Sequence, residues 1–187
     1  MAERSSVSAP SRMRDVICAC GGCDGGAITP RILVAGIGNI FLGDDGFGSE
    51  VLRHVYPLHP GVRLVDYGIR GMHLAYDLLD EWEALVLVDA LPCRDAPGTV
   101  HSFEANHEAL SATTGLDAHA MDPATVFASL NALGGQAPYT VVVGCEVADV
   151  ADRMGLSDVV AAAVPAAVRA VEDVVADLLN HTPVREG

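Results

Sequence analysis

Lysine is absent from this 187-residue chain, and its basic residues, 11 in all, face 25 acidic ones for a formal net charge of −14. Nucleic acid and anionic membrane surfaces need clustered Lys and Arg to offset phosphate charge, and no basic stripe exists, so both are excluded as partners. Also lacking is the run of ~20 uninterrupted apolar residues needed to span a bilayer. The longest apolar stretches carry Pro165, Arg169 and regularly spaced acids, so membrane insertion is not expected. No apolar segment precedes Cys18 in the way of a secretory signal, and the expected location is cytoplasmic. The five cysteines, an odd number in that setting, argue for free thiols. Missing too is a Gly-x-Ser-x-Gly elbow: Ser49 falls within a helical turn, which removes the usual serine nucleophile. Cys145 follows an apolar strand and reads as a small buried filler rather than a thiolate.

Half of the residues are hydrophobic, enough for one well-buried core and a single domain over 31–187. Residues 1–30 are rich in Ser, Arg and Gly and are expected to form a flexible tail outside the fold. Its Cys18, Cys20 and Cys23 are spaced as soft-metal ligands, yet no fourth ligand nearby completes a structural site.

Apolar strand patterns at 32–37, 62–66, 84–89 and 139–144 alternate with helical ones. The run Ala84 to Asp89 is apolar at consecutive positions until its last residue, as in a parallel strand covered on both faces. Thr99 to Phe103 has mixed polarity and is placed at or near an edge. Helices are expected after the first strand (Phe47, Val51, Leu52, Val55), after the Gly68 and Gly71 loop (Leu74, Leu78, Leu79 inward), from Asp122-Pro123 (Val126, Phe127, Leu130, Leu133 inward) and from about Ser157 to Asn180. In the last, Val164, Val168, Val171, Val175 and Leu178 face inward and Pro165 is expected to kink or split the helix. The order implies an α/β fold, a three-layer α/β/α sandwich around a twisted, mostly parallel or mixed sheet of about five strands.

The segment Ile32 to Gly48 begins like a nucleotide-binding strand and turn with Gly36-x-Gly38. The third glycine of a dinucleotide fingerprint is replaced by Phe41, and the anion position is taken by Asp44 and Asp45. A nucleotide cofactor is therefore not expected. One aspartate suffices to cap a helix, and Asp44 is assigned that role. Asp45, at the carboxyl end of the first strand, is assigned to a cation. In a parallel sheet Asp89 reaches the same rim, and His119, in the long polar connection before Asp122, can fold over it. Asp45, Asp89 and His119 would suit a borderline ion such as zinc or nickel with positions left open. His54, His59, His73, His101, His107 and His181 read as surface or packing histidines. Asp66 is expected to start the glycine turn through its own backbone, and with Asp117 it remains a supporting carboxylate.

Gly36-Ile-Gly-Asn39, Asp44-Asp45-Gly46-x-Gly48, Asp66-x-Gly68-x-x-Gly71, Val88-Asp89-Ala90, Pro97-Gly98-Thr99 and His119, in this order, resemble the nickel-iron hydrogenase maturation endopeptidases over roughly residues 31–180. The resemblance implies a peptidase that removes a C-terminal peptide from the hydrogenase large-subunit precursor once nickel has been inserted. That nickel is carried by the substrate, with zinc or another divalent ion able to substitute. Asp45, Asp89 and His119 map onto the family's metal ligands, and Gly68 and Gly71 onto its substrate-binding glycine loop. The first ligand is often glutamate in relatives; aspartate is one methylene shorter. Asp45 and Asp89 are both candidates for the catalytic base, and the resemblance leaves that choice open. The competing reading is a nickel-sensing assembly factor that docks on the large subunit without cutting it.

Overall fold

The computed structural model describes residues 31–56, 59–105 and 123–181. Within these, five strands form one sheet: β1 (Ile32–Ile37), β2 (Val62–Gly68), β3 (Ala84–Leu91), β4 (Val100–Glu104) and β5 (Tyr139–Glu146), in the order β2-β1-β3-β5-β4. Strands β2, β1, β3 and β5 run parallel, and β4 pairs antiparallel with β5 at the edge. The sheet is thus mixed, and the polar 99–103 segment does lie on an edge.

Among the described residues, four helices cover the sheet: α1 (Phe47–Leu52), α2 (Gly71–Asp77), α3 (Pro123–Ala132) and α4 (Asp158–His181). Alternation along β1 divides the core. Ile32 and Val34 pack with Phe47 and Val51 of α1 and Ala167, Val171 and Val175 of α4 on one face. Leu33, Ala35 and Ile37 pack with Leu74 of α2 and Phe127 and Leu130 of α3 on the other. β1 and β3 are buried on both faces through Val88, which explains why neither shows a period of two.

Several local expectations are corrected. Leu79 and Leu133, assigned inward by helical spacing, are 44% and 42% exposed. Each lies just past a helix end, at Asp77 and Ala132, where the chain leaves the helical path and the period no longer applies. Pro165 does not split α4, which is one helix over 24 residues. Pro165 lies on the exposed side of the helix, and Ala161, whose carbonyl it leaves without an N–H donor, is exposed as well. Asp122 lies outside the described residues.

The strand order fixes where a site can form. The chain leaves β1 through α1 toward β2 on one side, then returns through α2 to β3 on the other side of β1. The carboxyl ends of β1 and β3 therefore flank the topological switch point, where open α/β sheets leave a crevice.

Candidate functional site

After β1 the chain makes a single 3-10 turn over Gly43–Gly46 that seats directly on this switch point. Two glycines permit the close fit. A Cβ at Gly38, whose φ is +124°, would stand 1.9 Å from the Asp45 carbonyl oxygen. One at Gly48 would stand 2.3 Å from the carbonyls of both Ile37 and Val88, so the first turn of α1 is wedged onto the ends of β1 and β3. Backbone of the turn thus lies directly against the ends of β1 and β3.

The turn delivers Asp45 to the rim, where it is only 8% exposed. Its Oδ2 accepts a hydrogen bond from the Asn39 N–H at 2.6 Å, and its other oxygen has no partner among the described residues. Burial pushes its carboxyl above the usual range, and the Asn39 hydrogen bond offsets only part of that. A buried carboxylate with an oxygen unmatched is costly unless something positive arrives to meet it. Asp89, near the end of β3, is likewise 8% exposed, and its Oδ1 accepts from the Ala90 N–H at 2.8 Å. The 3-10 turn packs on β3, and Asp89 follows Val88, whose carbonyl Gly48 abuts. The structure therefore brings Asp45 and Asp89 to the same corner of the sheet. His119, with Asp117, lies outside the described residues, as do Cys18, Cys20 and Cys23.

Asp44 is not a helix cap. Neither the 3-10 turn nor α1 carries a side-chain cap hydrogen bond. Its fully buried carboxylate instead accepts from the Ala148 N–H (2.9 Å), the Asp149 N–H (2.9 Å), the Ser157 N–H (2.6 Å) and the Ser157 hydroxyl (2.9 Å). Burial works to raise its pKa, but these four donors outweigh it and hold the carboxyl below its usual value. The partners lie more than a hundred positions away in sequence, which is why helix-start logic misplaced it.

Asp66, at the carboxyl end of β2 and paired with Gly36 of β1, accepts the Gly68 N–H on Oδ1 at 3.0 Å, the expected Asx turn. The same oxygen accepts the hydroxyl of buried Ser49 at 2.7 Å, a link from α1 that no sequence signal indicated. Gly68 takes φ +52° and its carbonyl accepts the Gly38 N–H at 3.1 Å, tying the glycine loop to the first turn. Gly71 opens α2 and is buried.

At the far end of the rim, Glu146 is buried and its Oε2 accepts the N–H groups of Arg94 (3.0 Å), Asp95 (2.9 Å) and Ala96 (3.0 Å), while Oε1 pairs with His101 Nε2 at 2.9 Å. Burial opposes ionisation, yet these donors bring its pKa down to about 2. Asp95, His101 and Glu146 place ligand atoms within 4.8 Å of one another, but the hydrogen bonds make Glu146 the anchor of the 93–98 loop. Cys145 is fully buried and its thiol is pushed up to about 11, by burial first and then by Asp44, which fits a packing role. His54 pairs with Glu50 at the surface (3.2 Å), and His59 Nδ1 accepts the Gly61 N–H (3.1 Å). A separate cavity of 640 Å³ lies on the other side of the 3-10 turn, between α1 and α4, lined in part by Ile40, Arg53, Leu156 and Val168. It includes neither Asp45 nor Asp89. No helix among the described residues is long and apolar enough to cross a membrane.

Against known proteins, the sequence profile of a family described as hydrogenase maturation protease matches residues 49–174. A hydrogenase expression and formation protein of Rhizobium leguminosarum is 30% identical over 144 residues, 74% of this chain and 71% of that protein. Among solved structures, the hydrogenase maturating endopeptidase HybD of Escherichia coli superposes with a TM-score of 0.68 at 28% identity, covering 79% of this chain and 93% of that one. A nickel-iron hydrogenase maturation protease of Thermococcus kodakarensis gives 0.61 at 26% identity, over 77% and 98%.

Proposed function

The chain belongs to the hydrogenase maturation protease family and is a peptidase, and on that premise we propose that it removes a C-terminal peptide from the nickel-loaded precursor of a nickel-iron hydrogenase large subunit in the cytoplasm. The observation that carries the metal part of this reading is Asp45: nine-tenths buried, raised in pKa by that burial, and with one carboxylate oxygen unmatched among the described residues. Asp89 beside it supplies a second hard oxygen donor, and His119 from the 106–122 connection is proposed as the third ligand.

In this reading the nickel is part of the substrate: held by the two carboxylates and the histidine, it marks a finished precursor and fixes the scissile segment at the rim. The protein's own residues do the rest. Asp45 and Asp89 orient the incoming metal, the Gly68 and Gly71 loop offers backbone to the substrate chain, and Asp44 keeps the carboxylate turn seated. Zinc or another divalent ion would occupy the same donors.

Mass spectrometry of the large-subunit precursor, with and without nickel, tests the proposal. Incubation with this protein should shorten only the nickel-loaded precursor, and Asp45→Ala, Asp89→Ala and His119→Ala should each abolish the cut. A nickel-loaded precursor that binds the protein but keeps its C-terminus would overturn the peptidase assignment of substrate and leave the non-cleaving assembly factor.

A further inference from the structure

Cys93, Asp95, His101 and Glu146 lie apart from Asp45 and Asp89, and none has a part in the proposed reaction. They come from three segments of the chain. Glu146 ends β5, His101 lies in β4, and Cys93 and Asp95 belong to the loop that follows β3. His101 pairs with Gly144 of β5, and Glu146 stands two residues past Gly144, so both side chains leave the same face of the sheet. Backbone hydrogen bonds hold the loop ends against β5: the Gly98 N–H donates to the Glu146 carbonyl at 2.8 Å, and the Val147 N–H to the Leu91 carbonyl at 3.0 Å.

Anchoring the loop occupies one Glu146 oxygen more than the other. Oε2 takes the three N–H groups of Arg94, Asp95 and Ala96, whereas Oε1 meets His101 Nε2 at 2.9 Å and keeps lone-pair capacity. The Cys93 thiol also reaches the Glu146 carboxylate. Desolvation first, then that hydrogen bond and the charges of Glu146 and Asp95, push the thiol above its usual pKa. The Asp95 carboxylate accepts no hydrogen bond among the described residues, and its ligand atom lies within 4.8 Å of those of His101 and Glu146. Two carboxylates and a thiol therefore crowd a single histidine, with no arginine paired to any of them among the described residues. Such a group is relieved by a cation.

We propose that Cys93, Asp95, His101 and Glu146 bind a zinc-class divalent cation, at a site separate from the one that receives nickel. A thiolate sulfur, an imidazole nitrogen and two carboxylate oxygens are all zinc donors, and sulfur with nitrogen disfavours magnesium or calcium. With zinc bonds of about 2.0–2.1 Å in a tetrahedron, nitrogen and oxygen donors stand ~3.3 Å apart, so the His101 and Glu146 pair at 2.9 Å has to open by only ~0.4 Å. On binding, the thiol gives its proton to solvent and His101 keeps its own on Nδ1. Cys93 and Asp95 are exposed, which leaves the ion a way in. The ion ties the loop that leaves β3 after Asp89 to β4 and β5. Because it offers a thiolate, this site fills before Asp45 and Asp89, whose own metal response is then read on protein already loaded here.

The test uses the full chain with Asp45→Asn and Asp89→Asn, which remove the rim carboxylates, and Cys18→Ser, Cys20→Ser and Cys23→Ser, which remove the other clustered thiols. Stripped with a chelator and titrated with cobalt(II), this protein should bind one equivalent and show the thiolate-to-cobalt charge-transfer band; zinc should then displace the cobalt. Adding Cys93→Ser should abolish the band. His101→Ala and Asp95→Asn should each weaken binding at least about tenfold, since even partners outside the ligand shell are worth that much. Glu146 is left intact because it anchors the loop, and circular dichroism checks that each protein is folded. If His101→Ala disturbs the fold, Asp95→Asn, a change at an exposed side chain, decides. Failure of the folded parent to bind one equivalent overturns the inference. So does a band that survives Cys93→Ser, or binding weakened less than tenfold by the deciding variant. None of these readouts depends on cleavage of a precursor, so the site stands or falls apart from the peptidase substrate.

Discussion

Asp44 accepts a 2.6 Å hydrogen bond from the backbone of Ser157, the residue just before α4, so the first acid of the pair anchors a distant loop and only the second faces the site. The same carboxylate holds the Ala148 and Asp149 N–H groups and the Ser157 hydroxyl. Asp44→Ala would leave buried donors unmatched and is expected to cost about 3 kcal/mol, read from urea unfolding. Asp44→Asn retains acceptors for some of them and should cost less.

The same carboxylate sets an acid limit. Its pKa in the fold lies below the ordinary 3.8, so its stabilising effect is complete above that value and is lost as pH falls through the lower folded one. Glu146 acts in the same direction over a wider window, from the ordinary 4.5 down to about 2. Glu146→Gln should therefore flatten the dependence of unfolding free energy on pH between those values by up to one proton. A slope unchanged from the unsubstituted protein would show that the Arg94, Asp95 and Ala96 N–H groups and His101 do not favour the ionised form.

Gly48 is required for space. A Cβ there would lie 2.3 Å from the Ile37 and Val88 carbonyls, both backbone and neither able to yield without parting β1 from β3. Gly48→Ala is expected to cost about 3 kcal/mol or more, the upper range for overpacking. Gly134 has φ +84° and nothing within 4 Å of a Cβ, so Gly134→Ala should cost only about 1 kcal/mol, from backbone strain. Thermal denaturation of the pair separates crowding from conformation.

The parts of this molecule that were legible in the sequence are those set by local pattern. Continuous apolarity marked β3 as doubly covered, mixed polarity marked β4 as an edge, and the acid after that apolar run placed Asp89 near the carboxyl end of its strand. What was illegible depends on long-range contact. Nothing near Asp44 announces Ser157, and nothing near Ser49 announces Asp66, because each pair is brought together only when α1 and the loop before α4 close on the sheet. The helix ends failed for a related reason: Leu79 and Leu133 continue an apolar period after the helix itself has stopped.

Asp45 separates stability from function in the opposite sense to Asp44. Burial raises its pKa above 3.8, so the ionised form opposes folding: its best contribution holds below that ordinary value and declines as pH rises through the raised one. Asp45→Asn keeps an acceptor for the Asn39 N–H yet carries no charge to desolvate. At pH 7 the variant should melt at the same temperature as the unsubstituted protein or higher, while losing its response to added metal. In the unsubstituted protein nickel or zinc supplies the missing positive charge, so each should raise the melting temperature in a concentration-dependent way, and Asp89→Asn should weaken that rise. Calorimetric scans of the three proteins with and without the ion decide the matter. A destabilised Asp45→Asn that still gains stability from the ion would mean that Asp45 is a structural carboxylate, held by Asn39 and not by metal.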